Sequence, residues 1–197
     1  MEAAILPRHS LLVRITHWIN AAAFLGLTVS GVAILLAHPR LYWGETGAFG
    51  SPALLELPLP LNLDQSGWGR SLHFLSAWIC VLNGGIYVFR GLVSHHFDKN
   101  LAAAYSATQR FAYLGVVFGL LPLMIASGLA LSPAIAAAFP FVVRIFGGYQ
   151  SSRTVHFMIA NVLLIFLIAH IAMVYLAGFR SRVGGMITGR AVVKETI

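Results

Sequence analysis

The sequence predicts an all-α integral membrane protein, a four-helix bundle with both termini cytoplasmic, built as one domain over residues 1–197. Three observations predict it. The chain is 58% hydrophobic and only 10% charged, with a mean hydropathy of +0.82, outside the balance of a soluble domain. Four runs are apolar over the roughly 20 residues that a helix needs to cross about 30 Å of hydrocarbon. All six acids, Glu2, Glu45, Glu56, Asp64, Asp98 and Glu195, fall in tails or connections rather than in those runs.

The first run, 11–37, is longer than a signal-peptide core and is not followed by a small-residue cleavage site, so it reads as a retained helix. The second, 72–93, contains the lone cysteine, Cys80, whose plainest role is packing. The third and fourth, 111–131 and 155–179, complete the bundle. Helix is the expected form because lipid offers no partner to an open backbone, and the short alternating strands of a membrane barrel are missing.

Two longer connections lie on one side. The first, 38–69, is rich in Pro and Gly and holds "LYWGETG" without evident secondary structure, and such a loop reads as a docking surface. The second, 132–152, is partly apolar and reads as interfacial, with Trp43, Trp68 and Tyr149 suited to an aromatic belt. The side holding both termini and the middle connection carries nine of the thirteen Lys and Arg, which places the termini in the cytoplasm. The net charge of +7 is therefore a matter of topology. No basic stripe backed by a soluble domain points to nucleic acid.

An ionisable residue inside a span is costly and functional by default. The acids' positions exclude a carboxylate chain for ion coupling, and what remains inside is His17, His73, His156 and His170. His17 lies near the cytoplasmic start of the first helix, and His73 and His156 lie near the outer starts of the second and fourth. His170 follows His156 by 14 residues, about 21 Å deeper and within about 40° of the same face. Depth permits one pairing, His73 with His156 outside and His17 with His170 inside. Two imidazoles at each of two levels suit two b hemes, whose porphyrins need only two axial protein ligands each. Structural zinc would want four ligands at each level. With no CxxCH attachment motif, the hemes are expected to be noncovalent.

The motifs "RITHW", "RSLHF" and "RTVHF" place Arg14, Arg70 and Arg153 one turn before His17, His73 and His156. From there an arginine reaches headgroup level and can pair with a heme propionate. Each taken alone also reads as a topology-setting or lipid-phosphate arginine. Gly31, 14 residues beyond His17, and Gly84, 11 beyond His73, fall on nearly the ligand-bearing faces at the opposite level, as clearance for the other heme or as helix-packing contacts. His9, His38, His95 and His96 read as solvated, and "SHHFDK" (94–99) could gate protons to a quinone.

These motifs, the 14-residue spacing of His156 and His170, and "GGMITGR" in the tail resemble the bacterial di-heme cytochrome b family, the type of bacterial cytochrome b561 and of the cytochrome b subunits of nickel-iron hydrogenases and formate dehydrogenases. The resemblance spans essentially the whole chain. It implies two b hemes held by histidines of the first, second and fourth helices, which here are His17, His73, His156 and His170. It further implies an electron-transfer subunit of the bacterial inner membrane, with quinone as exchangeable substrate near the inner heme. A periplasmic redox protein, a molybdopterin oxidoreductase or hydrogenase-type subunit, would dock on the outer loops. The alternative is a self-sufficient superoxide:quinone oxidoreductase, against which the long first outer loop speaks. Oligomeric state stays open.

Overall fold

The computed structural model describes residues 5–7, 10–47, 51–58, 67–93 and 114–192. After a short strand β1 (Ile5–Pro7), helix α1 runs from Leu11 to Ala37. Ser10 caps it, its hydroxyl accepting from the Val13 N–H at 3.4 Å, and it stops two residues before Pro39, where a proline disfavours helix in its predecessor. Strands β2 (Arg40–Leu41) and β3 (Leu55–Glu56) pair antiparallel, so the first long connection, at the end of the bundle expected to face outward and labelled outer on that expectation, carries local structure that composition did not disclose. Arg40 and Glu56 face each other there as a solvent-screened ion pair at 2.9 Å.

Helix α2 spans Trp68–Val93, opening a turn earlier than the apolar pattern implies and taking Trp68 into the helix. The third apolar segment starts, within the described residues, as a helix at Leu114, passes through a π-helical turn at Val116–Leu120 and continues as α3, Leu121–Ala130. Pro122 explains the turn. Its ring nitrogen has no proton to donate and its ring crowds the carbonyl four residues back, so the preceding backbone widens. Residues 111–113, expected in this helix, lie outside the described residues, as do His9, His95, His96 and the rest of "SHHFDK".

The second outer connection folds into two short helices, α4 (Pro133–Ala138) and α5 (Phe141–Ile145). Helix α6, Tyr149–Leu176, begins six residues before the expected start and ends three before the expected end. A left-handed Gly178 (φ +95°) then turns the chain into α7, Phe179–Thr188, a tail helix absent from the sequence reading. Strand β4 (Arg190–Val192) pairs antiparallel with β1, so the two terminal segments meet on one side.

Helices α1, α2 and α6 are long and apolar enough to cross a membrane, and Val116–Ala130 forms a shorter apolar helix. Large side chains such as Leu25, Phe89 and Ile165 stay exposed along these helices, a surface that water would penalise and hydrocarbon accepts. The close backbone pairings are α1 with α2 and α3 with α6. Their contacts are small: Ala23, Ser30, Ala33, Ser76, Ser127 and Ala130 are buried, which lets the backbones approach. Across the first pair the buried Asn83 amide donates to the Thr16 carbonyl at 2.7 Å. The Thr16 hydroxyl is satisfied within its own helix, donating to the Leu12 and Val13 carbonyls at 2.9 and 3.2 Å.

Candidate heme site

Helix α6 presents His156 and His170 toward the α1–α2 pair, and both find a partner. The rings of His73 and His156 stand 6.1 Å apart between centroids at 66°, and those of His17 and His170 stand 6.4 Å apart at 56°. A metal shared by two imidazoles lies about 2.0 Å from each nitrogen. Five-membered rings with bonds of about 1.33 Å then put the two centroids about 6.3 Å apart. Both pairs sit at that separation, too far for stacking contact and right for sharing an ion. All four imidazoles are half-buried. Among the described residues no three His, Cys, Asp or Glu gather as a metal cluster. Two-ligand levels of this kind fit an axially ligated porphyrin and not a protein-enclosed zinc.

The outer pair is held from behind. Ser30 of α1 lies 3.0 Å from Nδ1 of His73, and Ser127 of α3 lies 3.0 Å from Nδ1 of His156. With Nδ1 so engaged, Nε2 is the ring nitrogen left to hold a metal. The inner pair has aromatic neighbours: Trp18 meets His17 edge-on at 5.4 Å, and Phe166 stacks on His170 at 6.5 Å.

Gly31 lies against the outer pair, where an added Cβ would be 3.8 Å from Cε1 of His73. Gly84 faces open space, with nothing within 4 Å of such a Cβ. Sequence reasoning missed Gly128, whose Cβ would come within 3.3 Å of Cε1 of His156, and it missed both serines. The signal was present as a Ser-Gly pair in each of two helices, Ser30-Gly31 and Ser127-Gly128. It was overlooked because small residues in membrane helices read first as packing.

The arginines divide. Arg153 and Arg70 gather with His38 at the outer mouth: the Arg153 guanidinium donates to the His38 carbonyl, and both cations act on the His38 ring. Partial burial first, and then these two charges, hold His38 below the ordinary histidine value of 6.5. The ring stays exposed, as a histidine in a connection is expected to be, and it feels the two cations of the mouth. Arg14 goes elsewhere, donating to the Ile187 carbonyl of α7, while Trp18 donates to Met186 at 3.2 Å. The tail helix is thereby fastened beside the inner pair.

A strap closes the outer end. The Gly44 carbonyl accepts from the Gln150 and Ser151 N–H groups at 3.0 and 3.2 Å, otherwise unpaired donors of the first turn of α6. Gly44 in turn donates to Ser151 Oγ at 2.7 Å, and Thr154 donates to the Tyr42 carbonyl at 2.6 Å. The first outer connection is therefore welded across the N-terminus of the helix that carries His156.

With this geometry in place, comparison with known proteins is informative. The family model described as prokaryotic cytochrome b561 matches residues 8–189. A protein of Azospira oryzae named "Putative protein-methionine-sulfoxide reductase subunit YedZ1" is 29% identical over 203 aligned residues, covering 89% of this chain and 94% of the relative. No solved structure matches. The chain belongs to the prokaryotic cytochrome b561 family, and it is a multi-pass bacterial membrane b-type cytochrome that binds heme b.

Proposed function

We propose that the chain holds two b hemes, the outer between His73 and His156 and the inner between His17 and His170, and relays electrons across the bacterial inner membrane. One end of the relay is the quinone pool and the other a redox protein docked on the outer loops. The observation that carries this reading is the pair of facing imidazole couples, each at metal-sharing separation, stacked along one helix. Bound heme supplies reversible one-electron chemistry. The protein supplies the axial nitrogens, an apolar surround, and the Arg70 and Arg153 cations at the mouth, where propionates would be neutralised.

The topology proposed is four crossings with cytoplasmic termini. It is supported by the cation asymmetry and by the pairing of 5–7 with 190–192, which agrees with an even number of crossings. An open cleft of about 540 Å³ lies between α1 and α7, lined by Leu11, Ile15, Trp18, Ile19, Met186 and Ile187 with Arg14 in its wall. Its size and apolar character suit a quinone headgroup at the inner level.

The Azospira oryzae relative is named as a subunit of a reductase that acts on methionine sulfoxide in proteins, and we extend that partnership to this chain. Methionine sulfoxide takes up two electrons and two protons to give methionine and water. A quinol releases two of each, so the two half-reactions match, and hemes held by the two imidazole couples would supply the one-electron steps between them. In proteoliposomes, quinol should reduce the hemes, and an outer reductase with methionine sulfoxide should reoxidise them. Rapid quinone reduction by superoxide with no partner added would replace this reading with the superoxide:quinone oxidoreductase.

A further inference from the structure

The two buried serines behind the outer pair do more than fill space. Ser30 and Ser127 are each 0% exposed, and each places Oγ 3.0 Å from a histidine Nδ1. A serine hydroxyl has one proton to give. Ser30 gives it to the Gly26 carbonyl at 2.6 Å, with Leu27 a second acceptor at 3.2 Å. Ser127 gives its proton to the Met124 carbonyl at 3.0 Å. With the proton committed to the helix backbone, only oxygen lone pairs face the imidazoles. A backbone carbonyl stands beside each serine as a further acceptor, Leu27 for His73 and Met124 for His156, so each Nδ1 is the donor and Nε2 is the nitrogen left with a lone pair for a metal.

The arrangement occurs twice with the same parts. In α1 and in α3 a Ser-Gly pair backs a histidine of the helix packed alongside, the serine on Nδ1 and the glycine against Cε1. Both histidines belong to an Arg-x-x-His-Phe motif, Arg70 to Phe74 and Arg153 to Phe157.

We infer that Ser30 and Ser127 are positioning residues for the outer heme, fixing the tautomer and raising the basicity of His73 and His156 and so setting that heme's potential below the value it would have without them. The inference rests on the di-heme reading. The physical step is polarisation: donation from Nδ1–H moves the ring toward imidazolate, and a more basic Nε2 favours ferric over ferrous iron. The hydroxyls touch neither substrate nor iron and act only through the rings.

The test is a potentiometric titration of the purified holoprotein, following heme absorbance, for the wild type and for Ser30→Ala, Ser127→Ala, Ser30→Thr and Ser127→Thr. Each alanine variant should raise one of two midpoints and leave the other in place. The expected change is on the order of tenfold in the oxidation equilibrium, about 59 mV for one electron. Threonine, which keeps the hydroxyl, should return the midpoint toward the wild-type value. Loss of one heme from an alanine variant, with the other midpoint unmoved, also supports a local role at the outer site. Unchanged midpoints, equal movement of both, loss of both hemes, or failure of threonine to restore an alanine shift would overturn the inference. A wild type with fewer than two midpoints would defeat the di-heme reading itself. Two midpoints indifferent to the serines would defeat this inference alone.

Discussion

Arg14 donates to the Ile187 carbonyl, so a residue in the first turn of α1 grips the last turn of α7. A cation at a helix C-terminus meets both an unpaired carbonyl and the negative end of the helix dipole. Replacing Arg14 by alanine should loosen α7 at a cost of about 1.5–3 kcal/mol for a charged hydrogen bond, less where solvent substitutes. Hydrogen exchange across residues 179–190 would report it, with faster exchange there and unchanged protection in α2. Uniform protection would mean that Trp18 and Met186 alone hold the helix.

Gly31 and Gly128 occupy matching places, yet a methyl at Gly128 would stand 3.3 Å from the His156 ring and one at Gly31 a comfortable 3.8 Å from the His73 ring. Gly31→Ala should therefore leave the outer heme's ferric electron paramagnetic resonance signal nearly unchanged. Gly128→Ala should shift it by turning the His156 ring. The reverse order would show that the backbone, not the ring, yields.

Gly148 sits at φ +121°, and an added Cβ would collide with the Gly44 backbone. Gly148→Ala combines conformational strain with that clash, and should cost on the order of 3 kcal/mol. Proteolysis of the strap around Tyr42–Gly44 should accelerate while the membrane helices stay intact. An unaltered cleavage rate would argue that the strap is not held by α6.

His38 gives the outer end a pH dependence. Its folded value lies below the ordinary 6.5, so between the two values the unfolded chain binds more protons than the folded one. Stability therefore rises with pH through that window. The contribution is complete above 6.5 and declines as pH falls toward the folded value. Local unfolding of the strap, read by hydrogen exchange between pH 7.5 and 5, should speed up on acidification in the wild type. In His38→Gln this component should vanish.

Much of this molecule was legible before any coordinates. Helix α1 was bounded at both ends because its limits are local: a serine cap at one and a proline at the other. The histidine pairing was legible because depth along a helix follows directly from residue count. Helix α6 was misplaced at its start because its first turn, "YQSS", is polar. Those donors and hydroxyls are satisfied by Gly44 and by backbone carbonyls, a tertiary contact no hydropathy pattern encodes. Arg14 fits its motif as well as Arg70 and Arg153 do, but the motif could not show that α7 folds back to engage it. The serines escaped notice because their role depends on which neighbouring helix they meet.

The central claim is that two imidazole couples each grip a heme, and heme stoichiometry tests it most directly. A pyridine hemochrome assay on the purified protein should give two b hemes per chain, falling to one in His73→Ala, His156→Ala, His17→Ala or His170→Ala, with the inner or outer midpoint lost accordingly. A folded wild-type protein with one heme or none, or variants of either couple that deplete both hemes alike, would contradict it.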